Sequence, residues 1–183
     1  MFIAHTFSSQ GFIMGCRSIL AINSCHLSGS YKGALLFAIT YDVDDGMFLL
    51  AIGVVSSENY EDWYWFLKKL KGVLDGKEVV IISYIYQGIL RSVSELFGTK
   101  NHAYCYWHVN ENFYSFFNRQ NIRRKKRKED TLLLLDSIVY ARLDIDYNKA
   151  FEKLVHFNED LARLDLTLFA LRIIDMGTSK SQV

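Results

Sequence analysis

Cys105 and His108 have the spacing of a pair of metal ligands, Cys-x-x-His. A thiolate and an imidazole are ligands that zinc prefers, but a structural zinc site takes four. Cys25, His26 and His102 are further candidates for the missing ligands. The alternative is a cysteine and a histidine that pack at a junction between a strand and a helix, because a two-ligand motif is weak by itself. Cys105 and His108 are therefore weak candidates for a zinc site.

Six consecutive basic residues form a second candidate site: Arg123, Arg124, Lys125, Lys126, Arg127 and Lys128. Such a run is typical of phosphate contact or of nuclear import. The alternative is a solvated loop between helices, which keeps the like charges in water. We expect any DNA binding by this run to be non-specific and strongly salt-dependent. If the chain is expressed, we expect it in the nucleus.

Two other patterns favour ordinary structure over chemistry. Asp42, Asp44 and Asp45 precede Gly46 between two apolar runs, which predicts a hairpin turn, and no calcium-ligand spacing follows. Ser24 and Ser83 could each pair with a histidine, but the Gly-x-Ser-x-Gly motif of a hydrolase nucleophile is missing.

The apolar periodicity predicts the elements that must position these residues. Five strands are expected at residues 18–26, 34–41, 47–56, 78–83 and 102–106, and helices at 59–74, 87–97, 107–118, 131–143 and 147–164. Three antiparallel strands followed by alternating helices and strands indicate a mixed α/β sheet with helices on its faces. The first three strands are almost continuously apolar, which predicts that both of their faces are covered.

Several blocks of residues carry a family resemblance. They are Gly15-Cys16-Arg17, Ile22-Asn23-Ser24-Cys25-His26-Leu27, Tyr31-Lys32-Gly33, Val54 to Asn59 with Trp63 to Leu67, Ile81-Ile82-Ser83 with Gln87-Gly88-Ile89, and Tyr104 to His108 with Asn112-Phe113. In order and spacing, from about residue 11 to 163, the chain resembles plant Mutator-like element (MULE) transposases. The resemblance is to their central transposase domain, in a truncated and degenerate form.

The resemblance implies an RNase H-like fold. Its mixed sheet has five strands in the order 3-2-1-4-5, flanked by helices, with extra helices at the C-terminal end. It also implies DNA transposition by three carboxylates that hold two divalent ions, Mg²⁺ or Mn²⁺, against a phosphodiester. Carboxylates suit this role because these hard cations prefer charged oxygen ligands.

The carboxylates that the resemblance requires are missing. Asn23 stands where the first family aspartate is expected, and Tyr84 stands where the second is expected. Both side chains are neutral at pH 7, and a phenol is a poor ligand for Mg²⁺. No third carboxylate can be assigned, and Glu152 cannot be given that role. We therefore expect no catalytic residues, no bound cofactor and no activity. The alternative is a domesticated module that binds DNA or protein.

Composition sets the remaining limits. The chain has 183 residues, 50% of them hydrophobic, a net charge of +1 and three cysteines, which favours a reduced, intracellular, globular protein without global basicity. The longest apolar run is about half of a membrane span, so we expect no membrane association. We divide the chain into an extension at residues 1–10, a transposase-like domain at 11–164 and a divergent tail at 165–183. The apolar residues of the tail predict possible self-association.

Overall fold

The computed structural model describes residues 1–30, 32–119, 125–141, 144–157 and 173–174. The chain divides into two compact units, Met1–Ala103 and Tyr104–Val183. The first unit contains, in chain order, β1 (Phe2–Ile3), α1 (Thr6–Gly15), β2 (Ile19–Leu27), β3 (Gly33–Tyr41), β4 (Met47–Val55), α2 (Tyr60–Val73), β5 (Val80–Ser83) and α3 (Gln87–Phe97). A single 3-10 turn at Thr99–Asn101 leads into β6 (His102–Cys105).

The second unit is mainly helical in its described residues. It contains α4 (Tyr106–Arg119), α5 (Lys125–Val139), α6 (Asp144–Phe157) and the short strand β7 (Ile173–Ile174). Leu135 and Leu154 are buried on α5 and α6, and the phenol of Tyr106 donates a hydrogen bond to the carboxylate of Asp136. The predicted tail at 165–183 lies outside the described residues except for Ile173 and Ile174. Self-association through the tail therefore stays a prediction.

The strands form a mixed sheet, which confirms the α/β class. The order of the described strands is β1-β4-β3-β2-β5-β6-β7. Strands β1 to β4 pair in antiparallel fashion, whereas β2 with β5 and β6 with β7 pair in parallel. The predicted sheet of five strands in the order 3-2-1-4-5 is wrong, because β1 and β7 add a strand at each edge. Each has two residues, which is too short for apolar periodicity to reveal.

Burial alternates along the central strand β3. Ala34, Leu36, Ala38 and Thr40 are buried, and the residues between them are half-buried. Side chains of a strand alternate between the two faces of a sheet, so one face of β3 is fully covered and the other is partly covered. The prediction that both faces are covered therefore holds fully for one face of this strand and only in part for the other. Its run of apolar residues conceals the difference between the faces.

Helix α2 supplies much of the covering layer. Trp63, Phe66, Leu67 and Leu70 lie on one side of α2 and are buried against the sheet. Asn59 caps the helix, since its Oδ1 accepts a hydrogen bond from the backbone N–H of Asp62 at 2.7 Å. Trp63 is a core residue, and Trp65 is half-buried.

The acidic turn between β3 and β4 is a hairpin connection. Asp42 Oδ1 accepts hydrogen bonds from the backbone N–H groups of Asp44 and Gly46, at 2.9 and 2.7 Å. A Cβ on Gly46 would lie 2.6 Å from the other carboxylate oxygen of Asp42, so a larger residue there would displace this carboxylate. The Asp42 carboxylate is therefore committed to the turn.

Candidate functional site at the carboxyl ends of β2 and β5

The central strands β2 and β5 run in parallel, and β5 ends at Ser83, beside the middle of β2, which continues to Leu27. Their last register pair is Ala21 with Ile82. Asn23 lies two residues after Ala21, and Tyr84 lies two residues after Ile82. Both side chains are half-buried. The structure therefore brings together the two positions that the resemblance assigns to the family aspartates.

The side chain of Tyr84 is held on two sides. Its phenol oxygen lies 3.2 Å from Ser24 Oγ on β2, within hydrogen-bond distance. Its ring stacks on Tyr86, with centroids 6.3 Å apart and an interplanar angle of 23°. The Tyr86 hydroxyl in turn donates to the backbone carbonyl of Glu58 at 2.9 Å. Tyr84 thus joins the end of β5 to Ser24 within β2 through a neutral hydrogen bond.

The side chain of Asn23 is hydrogen-bonded to the backbone of the next residue. Its Oδ1 accepts a hydrogen bond from the backbone N–H of Ser24 at 2.8 Å. A carboxamide has a single oxygen acceptor and no charge. The residues at this edge therefore do not fit the divalent ions that the resemblance implies, because Asn23 and Tyr84 are both neutral and both already hydrogen-bonded. No catalytic step through such ions follows from this geometry.

Ser83 and His102 form a buried pair beneath this edge. Ser83 Oγ lies 2.8 Å from His102 Nε2, and Ser83 also donates to the backbone carbonyl of Tyr84 at 3.0 Å. Burial lowers the pKa of the His102 imidazole from 6.5 to about 4, so it is neutral at pH 7. Ser83 is 1% exposed and His102 is 4% exposed. A substrate cannot reach this pair, which argues for a structural role rather than that of a hydrolase nucleophile.

Glu58 is a carboxylate at the same edge that sequence reasoning did not select. It follows β4, and its side chain is 14% exposed, with Oε2 lying 3.8 Å from Nε2 of His26 at the end of β2. Nothing in the sequence around Glu58, which directly precedes the cap of α2, predicts that its side chain is largely buried. Only the fold shows that it faces the end of β2.

Gly88 allows α3 to begin close to this edge. A Cβ at Gly88 would lie 2.7 Å from Cε1 of Tyr86 and 3.1 Å from the backbone nitrogen of Tyr60. The first turns of α2 and α3 therefore approach each other at a glycine. This close approach places Tyr86 where its ring can stack on Tyr84.

The predicted zinc ligands lie in two places. Cys105 ends β6 and His108 lies in the first turn of α4, both half-buried in the second unit. Burial lowers the pKa of His108, and the charge of Glu111 opposes this shift. Cys25 and His26 are exposed at the end of β2 in the first unit. Among the described residues, no group of three or more His, Cys, Asp or Glu side chains is arranged to hold a metal ion.

The C-terminal part of the basic run is helical rather than a loop. Lys125 to Lys128 begin helix α5, whereas Arg123 and Arg124 lie outside the described residues. The loop interpretation is therefore wrong for the last four residues. Helix α5 extends further toward the N-terminus than predicted, because lysine and arginine are good helix formers. DNA contact by the run stays a prediction.

In the part of the chain that the structure describes, we find no helix with the length and apolar character needed to cross a membrane. The fold and the edge together define a mixed α/β domain with polar side chains where the central strand β5 ends beside the parallel strand β2. The family model of the MULE transposase domain matches residues 19–112, just over half of the chain. The chain belongs to this family and is a transposase-like protein. A search of curated proteins finds no match.

Proposed function

We propose that this chain is a MULE transposase domain with an RNase H-like fold that has lost the ability to cut and join DNA. One observation carries the proposal: the phenol of Tyr84, at the position where the resemblance implies an aspartate, lies within hydrogen-bond distance of Ser24. The family match supports the transposase-like part of the proposal. The loss of activity, like the origin in a plant element, is our inference from the residues.

Two divalent ions beside a DNA phosphate are stabilised by carboxylates, which supply negative charge and oxygen ligands. Asn23 and Tyr84 replace two such charges with neutral groups, and the Asn23 oxygen already accepts a backbone hydrogen bond. We expect the chain to bind Mg²⁺ and Mn²⁺ too weakly to support phosphoryl transfer.

The test compares the natural chain with the double variant Asn23→Asp, Tyr84→Asp. Thermal unfolding is measured with and without millimolar Mn²⁺, since an ion that binds only the native state raises the apparent stability. We expect Mn²⁺ to raise the Tm of the double variant and to leave that of the natural chain unchanged. Tyr84→Phe is the matched control, because it removes the phenol oxygen without adding charge. It should not respond to Mn²⁺.

Two outcomes would contradict the proposal. One is a Mn²⁺-dependent rise in the Tm of the natural chain. The other is metal-dependent cleavage of duplex DNA by the natural chain. The cleavage assay does not depend on whether the double variant folds, so the proposal can be tested even if Tyr84→Asp proves destabilising.

A second candidate is a domesticated, nuclear DNA-binding module that kept the fold and lost the chemistry. The observation that favours it is the basic run, whose last four residues begin helix α5. The test is binding of the whole chain to duplex DNA at low salt, beside a variant with all six residues of the run changed to Gln. Binding that the variant loses supports this candidate. The absence of binding at low salt, or equal binding by both proteins, argues against it.

A further inference from the structure

Glu58 has a carboxylate oxygen that is buried without a hydrogen-bond partner. Its side chain is 14% exposed, and within the described part of the chain no group hydrogen-bonds to Oε1. Buried polar atoms in proteins are nearly always hydrogen-bonded, so a carboxylate oxygen of this kind favours a cation or a hydrogen-bond donor beside it. Neither the edge at Asn23 and Tyr84 nor the basic run uses this carboxylate.

The pairing of three strands brings Glu58 to His26. His26 of β2 pairs with Ala34 of β3, and Ala34 pairs with Val55 of β4. Glu58 follows Val55 by three residues, and its Oε2 lies 3.8 Å from Nε2 of His26. The two residues are distant in the sequence and meet only because β3 lies between β2 and β4.

The backbone of Glu58 is held by two neighbouring contacts. Its carbonyl accepts a hydrogen bond from the Tyr86 hydroxyl at 2.9 Å, and the next residue, Asn59, caps α2. The side chain of His26 is 81% exposed, so its imidazole is open to solvent. The carboxylate is therefore held in place by the fold, and the imidazole is free to rotate toward it.

The separation of the two side chains differs from that of a direct hydrogen bond. A hydrogen bond from nitrogen to oxygen is about 2.7–3.2 Å long, so 3.8 Å is too long for one. An ion pair between them would leave Oε1 unpaired. Zinc lies about 2.1 Å from an imidazole nitrogen or a carboxylate oxygen, so two ligands of one tetrahedral ion are about 3.4 Å apart. A small rotation of the exposed imidazole brings Nε2 to that distance.

The chemistry of the pair indicates which cation fits. In the part of the chain that the structure describes, no lysine or arginine forms an ion pair with Glu58. An imidazole and a carboxylate are both zinc ligands, whereas Mg²⁺ takes oxygen ligands. The described residues place no third His, Cys, Asp or Glu at this site, so water must complete the coordination of the ion.

We propose that Glu58 and His26 bind one Zn²⁺ ion, with water in its remaining coordination positions. The ion neutralises the Glu58 carboxylate and links the segment before α2 to β2. Neither residue stands where the resemblance implies a catalytic aspartate, so the proposal is independent of the loss of activity. His26 then binds zinc with Glu58 rather than with Cys105, which lies in the second unit.

The test is isothermal titration calorimetry of the full chain with micromolar ZnCl₂ at neutral pH. We expect the natural chain to bind Zn²⁺. We expect His26→Gln and Glu58→Gln each to weaken binding by about tenfold or more, because each removes one of the two protein ligands. His5→Gln is the matched control, since His5 is another exposed histidine of the first unit and its side chain forms no capping hydrogen bond. It should bind Zn²⁺ as the natural chain does.

The variants also separate this site from the alternatives. Because His26 is exposed, His26→Gln should leave the fold intact, so this variant decides the test even if Glu58→Gln unfolds; circular dichroism checks both. A natural chain that does not bind Zn²⁺ would overturn the proposal. So would binding that His26→Gln leaves unchanged, or binding that Cys105→Ser abolishes, which would assign the ion to the second unit.

Discussion

At the scale of single residues, Tyr84 changes more than the charge of the edge at β2 and β5. An aspartate at this position would repel nearby carboxylates and attract a cation. The phenol instead bonds to Ser24 and stacks on Tyr86. Tyr84 therefore supplies a neutral contact to β2, where an aspartate would supply a charge.

A double-mutant cycle measures this contact. We expect Tyr84→Phe and Ser24→Ala each to lower the free energy of unfolding by about 1 kcal/mol, because each removes one partner of a half-buried hydrogen bond. The double variant should lose less than the sum of the two, with a coupling of about 0.5–1 kcal/mol. Urea unfolding of the four proteins gives the values. Additive losses would show that the Ser24–Tyr84 bond contributes nothing.

His102 predicts a dependence of stability on pH. Its pKa is about 4 in the folded chain and 6.5 in the unfolded chain, because burial disfavours the charged form. Between these values the unfolded chain binds more protons, so stability falls as the pH falls from about 6.5 to about 4. The full effect is about 3 kcal/mol.

Urea unfolding between pH 7 and pH 5 measures this slope. His102→Gln should flatten it, because glutamine does not titrate and can still hydrogen-bond Ser83. Burial also lowers the pKa of His108, so some dependence of stability on pH remains in the His102→Gln variant. An unchanged slope in His102→Gln would contradict the assignment to His102.

At the scale of elements, a pair of glycines tests how α2 is seated on the sheet. A Cβ on Gly53 of β4 would lie 2.6 Å from Cδ2 of the buried Phe66, whereas a Cβ on the exposed Gly72 of α2 would meet nothing within 4 Å. We expect Gly53→Ala to destabilise the chain by about 1–3 kcal/mol through overpacking. We expect Gly72→Ala to stabilise it by about 0.5–1 kcal/mol through helix propensity.

Differential scanning calorimetry of these two variants checks the signs. Both variants add one methyl group to a glycine. A difference between their Tm values therefore reports the different surroundings of the two positions. A Tm for Gly53→Ala equal to that of the natural chain would show that α2 moves away from β4 at little cost.

The elements also show what the sequence could predict. Helix α2 follows from a cap at Asn59 and a clear apolar face, and the predicted bounds of α3 agree with the structure. Helix α1 was missed, because it has no charged face, only Phe12 is buried, and Phe7 and Met14 are exposed. The apolar residues of α1 do not form one buried face, so a search for helical apolar periodicity does not identify this helix.

The candidate site was predictable only in part. The positions of Asn23 and Tyr84 followed from the family resemblance. The bond between Ser24 and Tyr84 joins residues sixty apart in sequence, and that between Ser83 and His102 joins residues nineteen apart. Both depend on the pairing of strands, which residue types alone do not determine. Glu58 was missed for the same reason.

At the scale of the whole molecule, the charge is small and unevenly distributed. The 21 basic and 20 acidic residues nearly cancel, yet six of the basic residues are consecutive at 123–128. Long-range attraction to DNA scales with net charge, so a chain of net charge +1 gains little from it. Any affinity for DNA must then come from local contacts between the basic run and phosphates.

This distribution predicts the salt dependence of DNA binding. Each phosphate neutralised contributes about −0.9 to the slope of log K against log salt concentration, so six contacts give a limit of about −5. We expect a slope between zero and this limit for the natural chain, measured by fluorescence anisotropy with a labelled duplex. The variant with the run changed to Gln should show no measurable binding at the same salt concentration. A control variant with Lys68, Lys69 and Lys71 of α2 changed to Gln lowers the net charge in the first unit and leaves the run intact. If this control weakens binding as much as the loss of the run does, the affinity reflects net charge, and the basic run is not the site of contact.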